Sequence, residues 1–158
     1  MELRNSPMLL IAVLFLCTVH ITTARVLTPC QIARELYEHG IRREQLNDWV
    51  CLVMSESSGN THAINTQNSD GSYDYGLFQI NSRYWCGQHG PGGACNIACS
   101  ELLSDNISVA VNCAKKIYGV HRFDAWEGWK QKCRGRSLQD VTRCLYQLQC
   151  GCGQNYPF

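Results

Sequence analysis

Apolar positions along the chain switch period several times, and each switch marks an element. Ile32, Leu36 and Tyr37 form a stripe at helical spacing. Thr28 is a good N-cap residue, Pro29 suits the first helical position, and Gly40 is a natural stop. Trp49, Val50, Val53 and Met54 share one broad face and predict a second helix over Leu46 to Ser55, with Gly59 just beyond it. From Asn60 to Ser82 the helical period lapses into Asn, Ser, Thr, Asp and Gly. There Asp70-Gly71 is a hairpin turn signal. Tyr73 to Leu77 alternates as a strand does, with Tyr73, Tyr75 and Leu77 on one face and Asp74 on the other. Gln88 to Gly93 is a Gly-rich loop. The helical period returns near Asp105 with Ile107, Val109, Ala110 and Ala114, and a short helix is predicted from Asp124 to Lys132. A helix pair, a small sheet and further helices predict an α+β fold of two lobes with a cleft between them.

One apolar run has no such period. Met8 to Val19 is twelve residues long, short of the roughly twenty a membrane span needs. Arg4 and the amino terminus outweigh Glu2 before it, and Thr22 and Ala24 follow with small side chains. Residues 1–24 therefore read as a secretory signal peptide cut near Ala24, a membrane anchor being the alternative. The mature protein is expected to be secreted, with no membrane association.

Composition sharpens this picture. The chain has 158 residues, 45% of them hydrophobic, a net charge of +1 and 11 cysteines. High apolar content and small net charge exclude disorder, and the small charge argues against a nucleic-acid partner. Removal of Cys17 with the leader leaves an even number of cysteines, which in an oxidising compartment reads as a disulfide framework. The charge is uneven: residues 114–143 hold eight Lys/Arg against three Asp/Glu.

Two carboxylates stand out by setting. Glu56 ends an apolar helix, and Asp74 lies on a polar strand face eighteen residues later. One hairpin separates them, so they can face each other across the lobe boundary. Glycoside hydrolysis needs such a pair: one carboxyl protonated to donate to the leaving oxygen, the other ionised to attack or stabilise the sugar cation. Apolar neighbours favour the first state and polar neighbours the second. On position alone, both could equally be surface carboxylates.

The surrounding residues change that balance. Trp49-Val-Cys51, Glu56-Ser57, the run Ser69-Asp-Gly-Ser-Tyr-Asp-Tyr-Gly-Leu-Phe-Gln-Ile-Asn-Ser-Arg-Tyr-Trp-Cys86, Cys95-Asn-Ile-Ala-Cys99, Val111-Asn-Cys-Ala-Lys-Lys-Ile117 and Ala125-Trp126 closely resemble the C-type lysozyme family. The resemblance spans Cys30 to Cys144, which suggests a lysozyme-like domain over 25–146 followed by an irregular tail, 147–158. It implies that Glu56 is the general acid and Asp74 the nucleophile or electrostatic stabiliser. It places Asn68, Ser72 and Asn81 around the second carboxylate, Tyr84 and Trp85 as a sugar-stacking pair, and Trp126 at the apolar pocket of the acid. The implied activity is hydrolysis of the β-1,4 bond between N-acetylmuramic acid and N-acetylglucosamine in bacterial peptidoglycan. Its implied outcome is retention, as in the type case of this chemistry. The expected partner is peptidoglycan or a related amino-sugar polymer, the expected form a monomer, and no cofactor or metal is expected. Defence and digestion of bacteria are both compatible roles. A non-catalytic glycan-binding protein on the same fold is the rival reading.

The resemblance also implies the disulfides Cys30–Cys144, Cys51–Cys133, Cys86–Cys99 and Cys95–Cys113. Without it, eight cysteines allow 105 pairings, and Cys95-x-x-x-Cys99 also has zinc-ligand spacing. Cys150 and Cys152 lie beyond the family's usual end and could pair with each other, pair between chains or stay free. Several residues depart from the family pattern. Ser55 and Gly59 stand where bulkier residues are common, which predicts a looser pocket around the acid. The loop expected over Gly119 to Phe123 is shorter than in the family's best-known members and carries His121 and Arg122 in place of an acidic sugar contact. Gln79 and Arg83 are expected to be structural, and no histidine spacing suggests metal or triad chemistry. Asn106-Ile-Ser108 is an N-glycosylation sequon.

Overall fold

The computed structural model describes residues 25–146. The leader, the tail and Cys150 and Cys152 lie outside the described residues. Helix α1 (Pro29–Glu38) starts where Thr28 and Gln31 form a reciprocal capping box, and the chain turns away at Gly40 with φ +80°. Its buried face is Ile32, Ala33 and Leu36, whereas Tyr37 is exposed.

Helix α2 (Leu46–Ser57) runs two residues further than its apolar period predicts. Ser57 explains the extension. Its buried hydroxyl bonds to the carbonyls of Val53, one turn back, and of Leu77, so a polar residue is satisfied inside the last turn. The stop falls on Ser58 and Gly59, both left-handed at φ +54° and +81°. A Cβ on Gly59 would lie 2.2 Å from the Leu27 carbonyl oxygen. The missing side chain at 59 thus admits the N-terminal segment, and the looser acid pocket expected from it is not its structural role.

Three two-residue strands, β1 (Ile64–Asn65), β2 (Asp74–Tyr75) and β3 (Ile80–Asn81), form an antiparallel sheet in that order. The strand predicted from Tyr73 to Leu77 is therefore much shorter. Gly76 turns the chain at φ +70°, with its α-carbon hard against the Leu102 carbonyl, and Leu77 enters the core instead. Gln79 donates to the Ala63 and Gly76 carbonyls, and Arg83 pairs with Asp70 across 2.9 Å, so both serve the turns of this lobe.

Helix α3 (Ser108–His121) begins later than Asp105 and runs on through Gly119 to His121 into a 3-10 turn, so the loop expected over 119–123 is helical instead. Asp105 is engaged elsewhere, accepting from the Thr61 hydroxyl at 2.7 Å and meeting His62 at 3.2 Å. The helix predicted over Asp124 to Lys132 is interrupted. A 3-10 turn, Arg122–Ala125, precedes α4 (Glu127–Lys132), and Trp126 between them is extended. The break follows from a long-range bond: the Trp126 indole N–H donates to the Phe78 carbonyl at 2.9 Å and draws the ring into the core. There Trp49 is surrounded by Phe78, Tyr118, Phe123 and Trp126, mostly edge to face. The Trp49 N–H has no acceptor among the described residues, and its ring is held by this packing.

Disulfides Cys30–Cys144 and Cys51–Cys133 tie the helical lobe, Cys86–Cys99 closes the loop that follows the sheet, and Cys95–Cys113 ties that loop to α3. Cys95 and Cys99 lie in different bridges, which removes the zinc reading of their spacing. Among the described residues, no helix is long and apolar enough to cross a membrane. Helices plus a small antiparallel sheet, stapled by four disulfides, make an α+β fold.

Candidate active site

The last turn of α2 carries Glu56 to the lobe boundary, half-buried. Its Oε1 accepts the Gly128 backbone N–H at 2.8 Å, from the first turn of α4. A Cβ on Gly128 would lie 2.7 Å from that oxygen, so the glycine allows the close approach. Burial pushes the Glu56 carboxyl above its ordinary value; the Gly128 N–H opposes this, and the nearby Asp74 charge reinforces it. Lys132 pulls the other way and Glu127 adds to the rise, both more weakly.

Sheet register builds the second carboxylate's surroundings. Asn65 pairs with Asp74, and Asp74 with Asn81, so the three form one rung across three strands. Residues on one rung project from the same face of a sheet. Asn81 Nδ2 donates to Asp74 Oδ1 at 2.7 Å, and Asn65 and Asn68 Nδ2 donate to Oδ2 at 3.2 and 3.0 Å. Ser72, buried at the back, accepts from Asn68 and Asn81 and donates to Asp70 at 2.6 Å. Three side-chain N–H groups thus converge on the two oxygens of Asp74, a polar setting unlike the buried one of Glu56.

Beyond the carboxylates, Tyr84, Trp85, Ala94, His121, Asp124 and Ala125 line a cleft of 660 Å³. Tyr84 is 63% exposed, and Trp85 packs partly against the core while meeting the His121 ring edge to face at 5.8 Å. Asp124 is paired with Arg134. Trp126 is 5% exposed, so its ring backs the site from inside the core, between cleft-lining Ala125 and the α4 turn that holds Glu56.

Asn65, Gly128 and His121 belong to this arrangement without having been singled out as site residues from sequence. Asn65 could have been found only by knowing which residue it faces across the hairpin. Gly128 acts through its backbone, which leaves no side-chain signal. His121 stood in the short stretch that departs from the family pattern, and that departure was the available clue.

Comparison with known proteins agrees with this geometry. The model of the C-type lysozyme/alpha-lactalbumin family matches residues 25–144. A lysozyme of Bombyx mori is 49% identical over 138 residues, covering 87% of this chain and 98% of its own. Lysozyme c-1 of Anopheles gambiae is 43% identical, covering 86% and 95%. The crystal structure of lysozyme from Equus asinus superimposes with a TM-score of 0.70 at 37% identity, over 77% of this chain and 98% of that one. Matches of this extent, over a site with two carboxylates in contrasting surroundings, make the chain a member of the C-type lysozyme/alpha-lactalbumin family and a glycoside hydrolase of the lysozyme kind.

Proposed function

We propose that the protein is secreted and cleaves the β-1,4 bond between N-acetylmuramic acid and N-acetylglucosamine of bacterial peptidoglycan, with retention at the anomeric carbon. The observation that carries this reading is the unequal setting of the two carboxylates: Glu56 is pushed toward its protonated form by burial, while Asp74 accepts three side-chain N–H bonds. Protonated Glu56 gives its proton to the glycosidic oxygen as the bond from that oxygen to the anomeric carbon breaks. Asp74 forms a bond to the anomeric carbon from the opposite face. Water then enters where the leaving sugar was; Glu56 takes one of its protons and the bond to Asp74 breaks, which restores both groups and the original configuration.

Asn68, Asn81 and Ser72 position Asp74, with Asn65 as a fourth member. Tyr84 and Trp85 offer ring faces for stacking on the C–H faces of sugars, and Trp126 backs the acid. Glu56→Gln keeps size and hydrogen bonding but loses the transferable proton. Clearing of a bacterial wall suspension should fall by about a hundredfold or more. Equal clearing by both proteins would leave the non-catalytic glycan-binding reading.

A further inference from the structure

Asn106-Ile107-Ser108 is the only Asn-x-Ser/Thr sequon in the sequence with a residue other than proline in the middle. The structure gives it a defined shape. Asn106 is exposed, and Ile107 anchors the segment in the core at 1% exposure. Asn106 Oδ1 accepts both the Ser108 hydroxyl at 2.6 Å and the Ser108 backbone N–H at 3.1 Å. Its Nδ2 donates to no group among the described residues. Two hydrogen bonds on the amide oxygen draw electron density away from the nitrogen and make its protons easier to lose. The amide nitrogen is thus presented outward, on a segment whose packing does not depend on it.

Position makes a large substituent tolerable. Asn106 precedes one end of α3, and His121 lines the cleft at the other end. Fourteen helical residues at about 1.5 Å each set the two ends about 20 Å apart. Bulk at residue 106 stays away from the sugar-stacking wall.

We propose that Asn106 is an N-glycosylation site whose Nδ2 carries an oligosaccharide in the exported protein, an inference that rests on the secretion reading above. The co-substrate is a lipid diphosphate-linked oligosaccharide of the secretory lumen. The Asn106 Nδ2–C1 bond forms, the bond from C1 to the diphosphate oxygen breaks, one Nδ2 proton passes to a base of the transferase, and the lipid diphosphate leaves. The test is the mass of the full chain collected from the medium of a eukaryotic secretory cell, made once with its own residues 1–24 and once with a generic cleavable leader in their place. The expected result is a mass increase of one oligosaccharide, removed by a glycan-releasing amidase, absent in Asn106→Gln and Ser108→Ala, and kept in Ser108→Thr. Unmodified mass in the protein exported by the generic leader would overturn the proposal. Failure of export with the native leader alone would count against the secretion reading, since the generic leader still decides the glycan.

Discussion

Under the proposed role of general acid, Glu56 links reactivity to stability in one side chain. Its carboxyl sits above its ordinary value of 4.5 because burial penalises the charged form more than the Gly128 N–H rewards it. The folded protein therefore holds this proton more tightly than the unfolded chain does. Stability from that difference is fully present below about pH 4.5 and is lost as pH rises through the raised value. Glu56→Gln carries no charge at any pH. The variant should melt higher than the parent at neutral pH, with the gap closing as pH falls toward 4, in paired thermal scans. A gap of constant size across that range would mean that titration of Glu56 is not its source. With Glu56 as the proposed acid, the same linkage predicts that activity fades on the alkaline side as its carboxyl loses the proton.

At the level of elements, the ends of helices and strands decide where side chains arrive. Gly59 closes α2 in a left-handed conformation against the Leu27 carbonyl. Gly59→Ala combines an unfavourable φ with a contact that forces the backbone apart. It should cost about 2 kcal/mol or more, read as a lower urea midpoint. Unchanged stability would show that the Leu27 segment can move away freely. The start of α1 and its stop at Gly40 were legible in the sequence because caps and stops are local chemistry. The break at Trp126 was not, because it is set by a bond to Phe78, forty-eight residues away in the chain. Helical period likewise ended α2 too early, since Ser57 is held by the Leu77 carbonyl from the next lobe. The two carboxylates were visible as candidates, and family resemblance gave them roles. The Asn65 and Gly128 contacts came only from strand register and helix docking.

Charge belongs to the whole molecule. The three acids of the basic stretch are paired: Asp124 with Arg134, Glu127 with Lys130 and Asp140 with Arg143. Lys115, Lys116, Arg122, Lys132 and Arg136 have no carboxylate partner among the described residues. Acidic residues elsewhere bring the chain to a net +1, which gives little long-range attraction to an anionic wall. Turnover of soluble peptidoglycan fragments should exceed action on intact cells, and cell lysis should be slow even at low salt. Rapid lysis of intact cells that stays high across a salt series would contradict this account.

The rung of Asn65, Asp74 and Asn81 gives Asp74 a structural duty beside the chemical one proposed for it. Strands of two residues have few backbone bonds with which to hold a sheet together, and a side chain from each of the three strands meets at Asp74. Asp74→Asn turns an acceptor into a group that also donates, and places its new N–H against neighbours that already donate. The variant should lose most of its rate and also exchange the amide hydrogens of the sheet faster. At this position the proposed reagent is also the clasp of its lobe, so a change aimed at the chemistry should also loosen the sheet.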